Sequence, residues 1–187
     1  MRRHRISRLT LTATAVLATV LVPATAQAAP YCGLAWGSQP EVGAGSAPAG
    51  VALDDVRAGR HACFDRLVLD LDHAAGYSGY AVRYVSAVTE DGSGRPVALR
   101  GGADLQVVVR TTVSDDSGRA VYTPRSTSDV VDVSGYPTIR QVAWAGAFEG
   151  QTTLGVGTRA RLPFRVLVLP GPGSSETRVV IDVAHRW

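Results

Sequence analysis

Phe64-Asp65-Arg66-Leu67-Val68-Leu69-Asp70-Leu71-Asp72 is the stretch that decides the fold. Leu67, Leu69 and Leu71 fall on one face, and Arg66, Asp70 and Asp72 on the other. A repeat of two residues belongs to a half-buried β-strand, whose side chains point alternately to its two faces.

The same pattern recurs downstream, punctuated by turn residues. Gly76-Tyr77-Ser78-Gly79 is a turn, and residues 80–88 read as the next strand. Asp91-Gly92-Ser93-Gly94 turns the chain before a strand at 104–112 that carries Leu105, Val107 and Val109 on one face. Another turn spans 115–118, and 130–133 reads as a short strand. Residues 139–148 alternate between a face of Val142, Trp144 and Phe148 and a face of Ile139, Gln141 and Ala143. A glycine-interrupted strand follows at 151–158. Strands at 163–169 and 177–184 flank Pro170-Gly171-Pro172-Gly173. A helical period is absent beyond the leader, except at 51–60, where one short helical turn is expected. Short strands with turns about every ten residues define an all-β sandwich or barrel.

Upstream, 37–51 is rich in Gly, Pro, Ser and Ala and reads as a linker. Before it come Cys32 and Trp36. The chain opens with Arg2, Arg3, Arg5 and Arg8, an uncharged apolar run from Leu9 to Val22, and Ala26-Gln27-Ala28. That order marks residues 1–28 as a cleavable secretory signal, with a run too short to span a bilayer. The expected organisation is a signal at 1–28, an N-terminal arm at 29–51 and one β-domain at 52–187. The mature chain is expected to be secreted or otherwise extracytoplasmic, without a membrane span.

All 19 basic residues are arginine, against 16 acidic residues. Loss of the four leader arginines leaves 15 against 16, so the mature domain lacks the positive footprint of a nucleic-acid binder. Cys32 and Cys63, exported together, are most simply a disulfide. A metal pair with His61 lacks a fourth ligand.

Several segments carry a family resemblance. They are Gly59-Arg60-His61-Ala62-Cys63-Phe64-Asp65-Arg66, Tyr80-Ala81-Val82-Arg83-Tyr84-Val85, Gln141 through Thr153 with its Phe148-Glu149-Gly150, Phe164-Arg165-Val166, and Arg178-Val179-Val180-Ile181-Asp182-Val183-Ala184. Together they resemble the AMIN-like domain of exported proteins from high-GC Gram-positive bacteria, over roughly 50–187. The resemblance implies an antiparallel β-sandwich. It also implies kinship with AMIN domains, the β-sandwich modules of cell-wall amidases and secretion-pore subunits that target envelope material such as peptidoglycan.

Motifs for chemistry are missing. Ser78 is not in a nucleophile elbow, and His61, His73 and His185 sit at different strand ends, where they read as solvated. Asp70 and Asp72 are neighbours on one strand face rather than carboxylates opposed across a cleft. Asp115-Asp116 is too small a set of oxygens for calcium. Asp65-Arg66 reads as a stabilising ion pair or turn device. The chain is therefore expected to be non-enzymatic and to need no cofactor or metal.

Binding asks for less. Tyr136, Arg140, Gln141, Trp144, Phe148 and Glu149 crowd one span, although Trp144 and Phe148 share a parity that suits the core. An arginine can hold a carboxylate in a two-pronged fashion. Trp36 in the arm must be covered or used. The expected binding set is Trp36, Tyr136, Arg140, Trp144 and Glu149, and the expected partner is cell-wall glycan or peptidoglycan. A strand edge that pairs with an envelope protein is the rival reading, and a small secreted hydrolase is a third.

Overall fold

The computed structural model describes residues 31–45, 47–115 and 117–187. The expected signal at 1–28 and Asp116 of the expected 115–118 turn lie outside the described residues.

Eleven strands are present among the described residues: β1 (Glu41–Ala44), β2 (Ala52–Arg60), β3 (Phe64–Asp72), β4 (Gly79–Val85), β5 (Val88–Thr89), β6 (Pro96–Val97), β7 (Ala103–Val109), β8 (Ile139–Phe148), β9 (Gln151–Thr158), β10 (Phe164–Pro170) and β11 (Thr177–Ala184). They form a five-stranded sheet in the order β1-β4-β7-β9-β8, a four-stranded sheet in the order β10-β11-β3-β2 and a ribbon β5-β6. The strand pairs within each sheet are antiparallel. The two sheets bury a shared core in which Leu53, Leu67, Leu69, Phe164 and Ile181 from one meet Val82, Leu105, Val107, Ile139 and Leu154 from the other. The decisive stretch is β3, with Leu67, Leu69 and Leu71 buried as its alternation requires.

Three bulges redirect side chains. In β2 the register slips between Leu53 and Asp55, so Leu53 and Val56 both face inward at a spacing of three. This spacing imitates a helix, and 51–60 is strand rather than a helical turn. In β8 the register slips at Arg140 and again at Ala145. The first slip puts Ile139 and Val142 on the same core face. The second turns Phe148 outward, where it is 54% exposed rather than buried with Trp144. An extra residue in one strand of a pair has this effect. Glu149 and Gly150, both at positive φ, then close the β8–β9 hairpin.

The 37–51 segment contains β1, which pairs with β4 along the edge of the larger sheet. The 130–133 stretch is not a strand. It belongs to a loop along the β8 edge, where Val130 N–H donates to Val142 O (2.8 Å) and Trp144 N–H to Thr127 O (2.7 Å). The ribbon segment lies on the outer face of the five-stranded sheet, over Gly155 and Gly157. Val88 is fully buried there. The outer face of the four-stranded sheet carries no comparable cover among the described residues.

Candidate functional site

The register of the four-stranded sheet arranges its outer face in rows. Asp182 lies opposite Arg66 on β3 and Arg165 on β10. It has no exposed surface, and a buried carboxylate must be paired. Arg66 forks onto it through Nε and Nη2 at 2.6 and 2.9 Å, and Arg165 Nε donates at 2.9 Å. Two guanidinium groups thus share one carboxylate and leave a positive charge at this end.

The arm builds onto that charge. The Cys32–Cys63 disulfide fixes the arm to the start of β3. Trp36 Nε1 donates to Tyr31 O at 2.8 Å. The Arg165 guanidinium sits 5.2 Å from the Trp36 ring centre and 5.5 Å from that of Phe64. Arg66 lies 5.2 Å from Phe64 on the same basis, and the His61 ring stacks on Phe64 at 4.5 Å. Arginine over an aromatic face is attracted by the ring quadrupole.

The next row is apolar. Val180 lies opposite Val68, with Leu167 and Arg57 beyond them. The two valines, 2% and 8% exposed, floor a pocket of about 230 Å³ walled by Arg57, Arg66, Arg178 and His61. Long arginine stems cover the valines while their heads stay wet. Arg57 is engaged by Asp70 at 2.6 and 2.8 Å. Arg178 donates Nε and Nη2 to Pro170 O at 3.1 and 2.7 Å and makes no ion pair among the described residues. Its remaining donors suit a carboxylate, which guanidinium binds in a planar fork.

Beyond Arg178 and Asp70 the face becomes acidic. A cavity of about 410 Å³ is lined by Asp54, Asp55, Asp72 and Glu176, and shares Arg57 and Arg178 with the basic pocket. Burial, and then the charges of Asp72, Asp55, Asp70 and Glu176, push the Asp54 carboxyl above its ordinary range. The carboxylates do not come together as a metal-holding group among the described residues.

The expected binding residues are scattered. Trp36 flanks the basic end of this face. Tyr136 is half-buried against the core, and Arg140, exposed on the first β8 bulge, donates to Tyr136 O at 2.9 Å. The Trp144 ring packs toward the core, 5.7 Å from Tyr122. Glu149 sits in the hairpin turn at the far end of β8, about 30 Å of strand from Arg140. Gln141 is structural: it accepts from Arg100 N–H and donates to Ser128 O, both at 2.7 Å. Asp65 and Arg66 do not pair with each other but face opposite sides of β3. Asp65 accepts from Thr138 N–H, Ile139 N–H and His185, so His185 is a clamped side chain rather than a solvated one.

Sequence reasoning missed Arg57, Arg165 and Arg178. Each occupies an outward strand position, but only the register shows that they share a face. Three segments of the resemblance converge on the basic end, through His61, Phe64, Arg66, Arg165, Arg178 and Asp182. The family model of the AMIN-like domain matches residues 51–185. No curated protein and no solved structure matches the chain.

Proposed function

The chain belongs to the AMIN-like domain family, and from that premise we propose that it binds peptidoglycan through the outer face of its four-stranded sheet. AMIN-like domains are binding or targeting modules. Family and disulfide together suggest an extracytoplasmic, cell-wall-associated module. Among the described residues no helix is long and apolar enough to cross a membrane.

The observation that carries the reading is the arginine-walled pocket on its valine floor. Peptidoglycan stem peptides present small methyl side chains beside free carboxylates. Arg178 offers unpaired donors to the carboxylate, Val68 and Val180 offer contact to the methyl, and His61 and Trp36 offer ring faces to the adjoining sugar.

Co-sedimentation of residues 29–187 with insoluble peptidoglycan tests this. Saturable pelleting, competed by soluble muropeptides, is expected, and Arg178→Gln should weaken it roughly tenfold or more, the worth of one charge-assisted contact. Arg178 is the cleaner target, because loss of Arg66 would strip a buried carboxylate of a partner. Retention in the supernatant at all salt concentrations would remove the proposal.

A strand-edge assembly module is the second reading. Val42 on edge strand β1 is 63% exposed, and Val168 on edge strand β10 is 37% exposed. It predicts co-purification with an envelope protein, indifferent to glycan and to Arg178.

A further inference from the structure

We propose that the arm is a redox-latched cover strand: the Cys32–Cys63 disulfide holds it on the free edge of β10, and reduction by a dithiol releases that edge to the arm of a second copy. Neither β10 nor the arm lines the two cavities of the trough, so the latch does not depend on what the trough binds.

An edge strand presents a row of outward N–H groups, which is a template for pairing. On β10 that row is Phe164, Val166 and Val168, since every second residue points the same way. The arm takes the first two. Phe164 N–H donates to Gly37 O at 2.7 Å in an isolated antiparallel bridge, and Val166 N–H donates to Glu41 Oε2 at 3.0 Å. Arg161 Nη2 adds a bond to Ser38 O at 3.0 Å. The arm does not reach Val168, and Pro170 has no N–H to offer. The chain then crosses to the other sheet, where β1 covers the edge of β4. One segment thus closes both sheet edges on this side of the sandwich.

Little besides the disulfide keeps it there. Residues 31–45 contain no buried residue, and Val42 on β1 is exposed. The main packing contact is Trp36, half-buried against Arg165 and 5.9 Å from the Phe64 ring. Apolar burial holds strands more firmly than hydrogen bonds open to water, and a short edge strand without burial is marginal. The Cys32 tether turns these loose contacts into intramolecular ones at high effective concentration. Cys32 is itself exposed and stands at a φ of 55°, in the left-handed region uncommon for a residue with a Cβ. An exposed disulfide is open to thiol attack. The dithiol becomes a disulfide, while Cys32 and Cys63 take up its two electrons and two protons. Both edges then lack a strand, and the segment that fits both is the arm itself. A second reduced copy offers the same arm, so exchange of identical arms restores every contact between copies.

Two measurements on residues 29–187 test the latch and its occupant. In dilute samples treated with dithiothreitol, where the chain is monomeric, amide order parameters along 33–43 should fall from about 0.85 to below about 0.6, with β11 unchanged. For the occupant, ¹⁴N and ¹⁵N chains are mixed at high concentration, reduced with dithiothreitol in native buffer, reoxidised and digested. Arm exchange gives a Cys32–Cys63 peptide of mixed label, and light scattering of the reduced mixture shows the mass doubling with concentration. The Cys32→Ser/Cys63→Ser double variant should form the same dimer without reductant. Glu41→Ala should weaken the dimer of the reduced chain roughly fivefold, because the bond to Val166 is then made between copies. Unchanged order along the arm after reduction overturns the latch. Equal loss of order in β11 also overturns it, since the disulfide then staples the whole fold. A loosened arm with no dimer and no mixed peptide overturns the exchange.

Discussion

Asp65 ties the start of β3 to the start of β8 and to His185, just beyond the end of β11. Its carboxylate is fully buried on β3, accepts the N–H groups of Thr138 and Ile139 at 2.6 and 2.9 Å, and meets His185 at 3.0 Å. Asp65→Ala strands those donors in a dry interior, so a loss on the order of 3 kcal/mol is expected in urea unfolding. Asp65→Asn keeps one acceptor oxygen and should lose less. Asp54 makes the opposite case. Its folded pKa lies above the ordinary 3.8, through burial first and four carboxylate neighbours second. The folded state therefore holds that proton more tightly than the unfolded one, and stability falls as pH rises through the folded value. Asp54→Asn should raise the Tm at pH 7, and the gain should vanish below the ordinary aspartate range. A Tm gain independent of pH would contradict this. Neither role was legible in the sequence, because Asp65 looked like half of an Asp-Arg pair and Asp54 fell within 51–60, where one short helical turn was expected. What separates them is which face each occupies, and that follows from register and bulges.

At the scale of elements, β3, β8, β9, β10 and β11 were located closely, and alternation served best at β3, where buried leucines face the core and Arg66, Asp70 and Asp72 mark the other side. It failed where a bulge resets parity. Leu53 and Val56 imitated a helix, and Phe148 was grouped with Trp144 although a bulge at Ala145 separates their faces. The ribbon was invisible because its cover of the sheet depends on glycines, which carry no periodic signal. A Cβ on Gly157 would stand 2.1 Å from Arg100 O, whereas one on Gly155 would meet the Leu99 side chain at 3.1 Å. Backbone yields less readily than a side chain, so Gly157→Ala should cost about 1–3 kcal/mol. Gly155→Ala should cost less, and hydrogen exchange near residues 99–101 should rise only in the former. The disulfide was legible from compartment and count. Its sequence separation of 31 is worth about 3–4 kcal/mol in the chain-entropy account. Reduction should lower the urea midpoint by a corresponding amount and alter Trp36 fluorescence. An unchanged midpoint would show that the arm does not depend on its tether.

Across the whole molecule, the two outer faces differ in cover. The ribbon lies on the five-stranded sheet and the 127–130 stretch follows the β8 edge, whereas the four-stranded sheet leaves a charged trough open. The fold class followed from strand spacing and the resemblance. The trough did not, because Arg57 and Arg66 come from β2 and β3 whereas Arg178 comes from β11, more than a hundred residues later in sequence. The most direct test is a titration of uniformly ¹⁵N-labelled residues 29–187 with a soluble muropeptide, followed by amide and arginine side-chain shifts. The account predicts saturable changes at Arg57, Arg66, Val68, Arg178 and Val180, and quiet signals along β8 and the ribbon. Changes centred on Tyr136 and Arg140, on the ribbon cleft, or nowhere at millimolar ligand would contradict it.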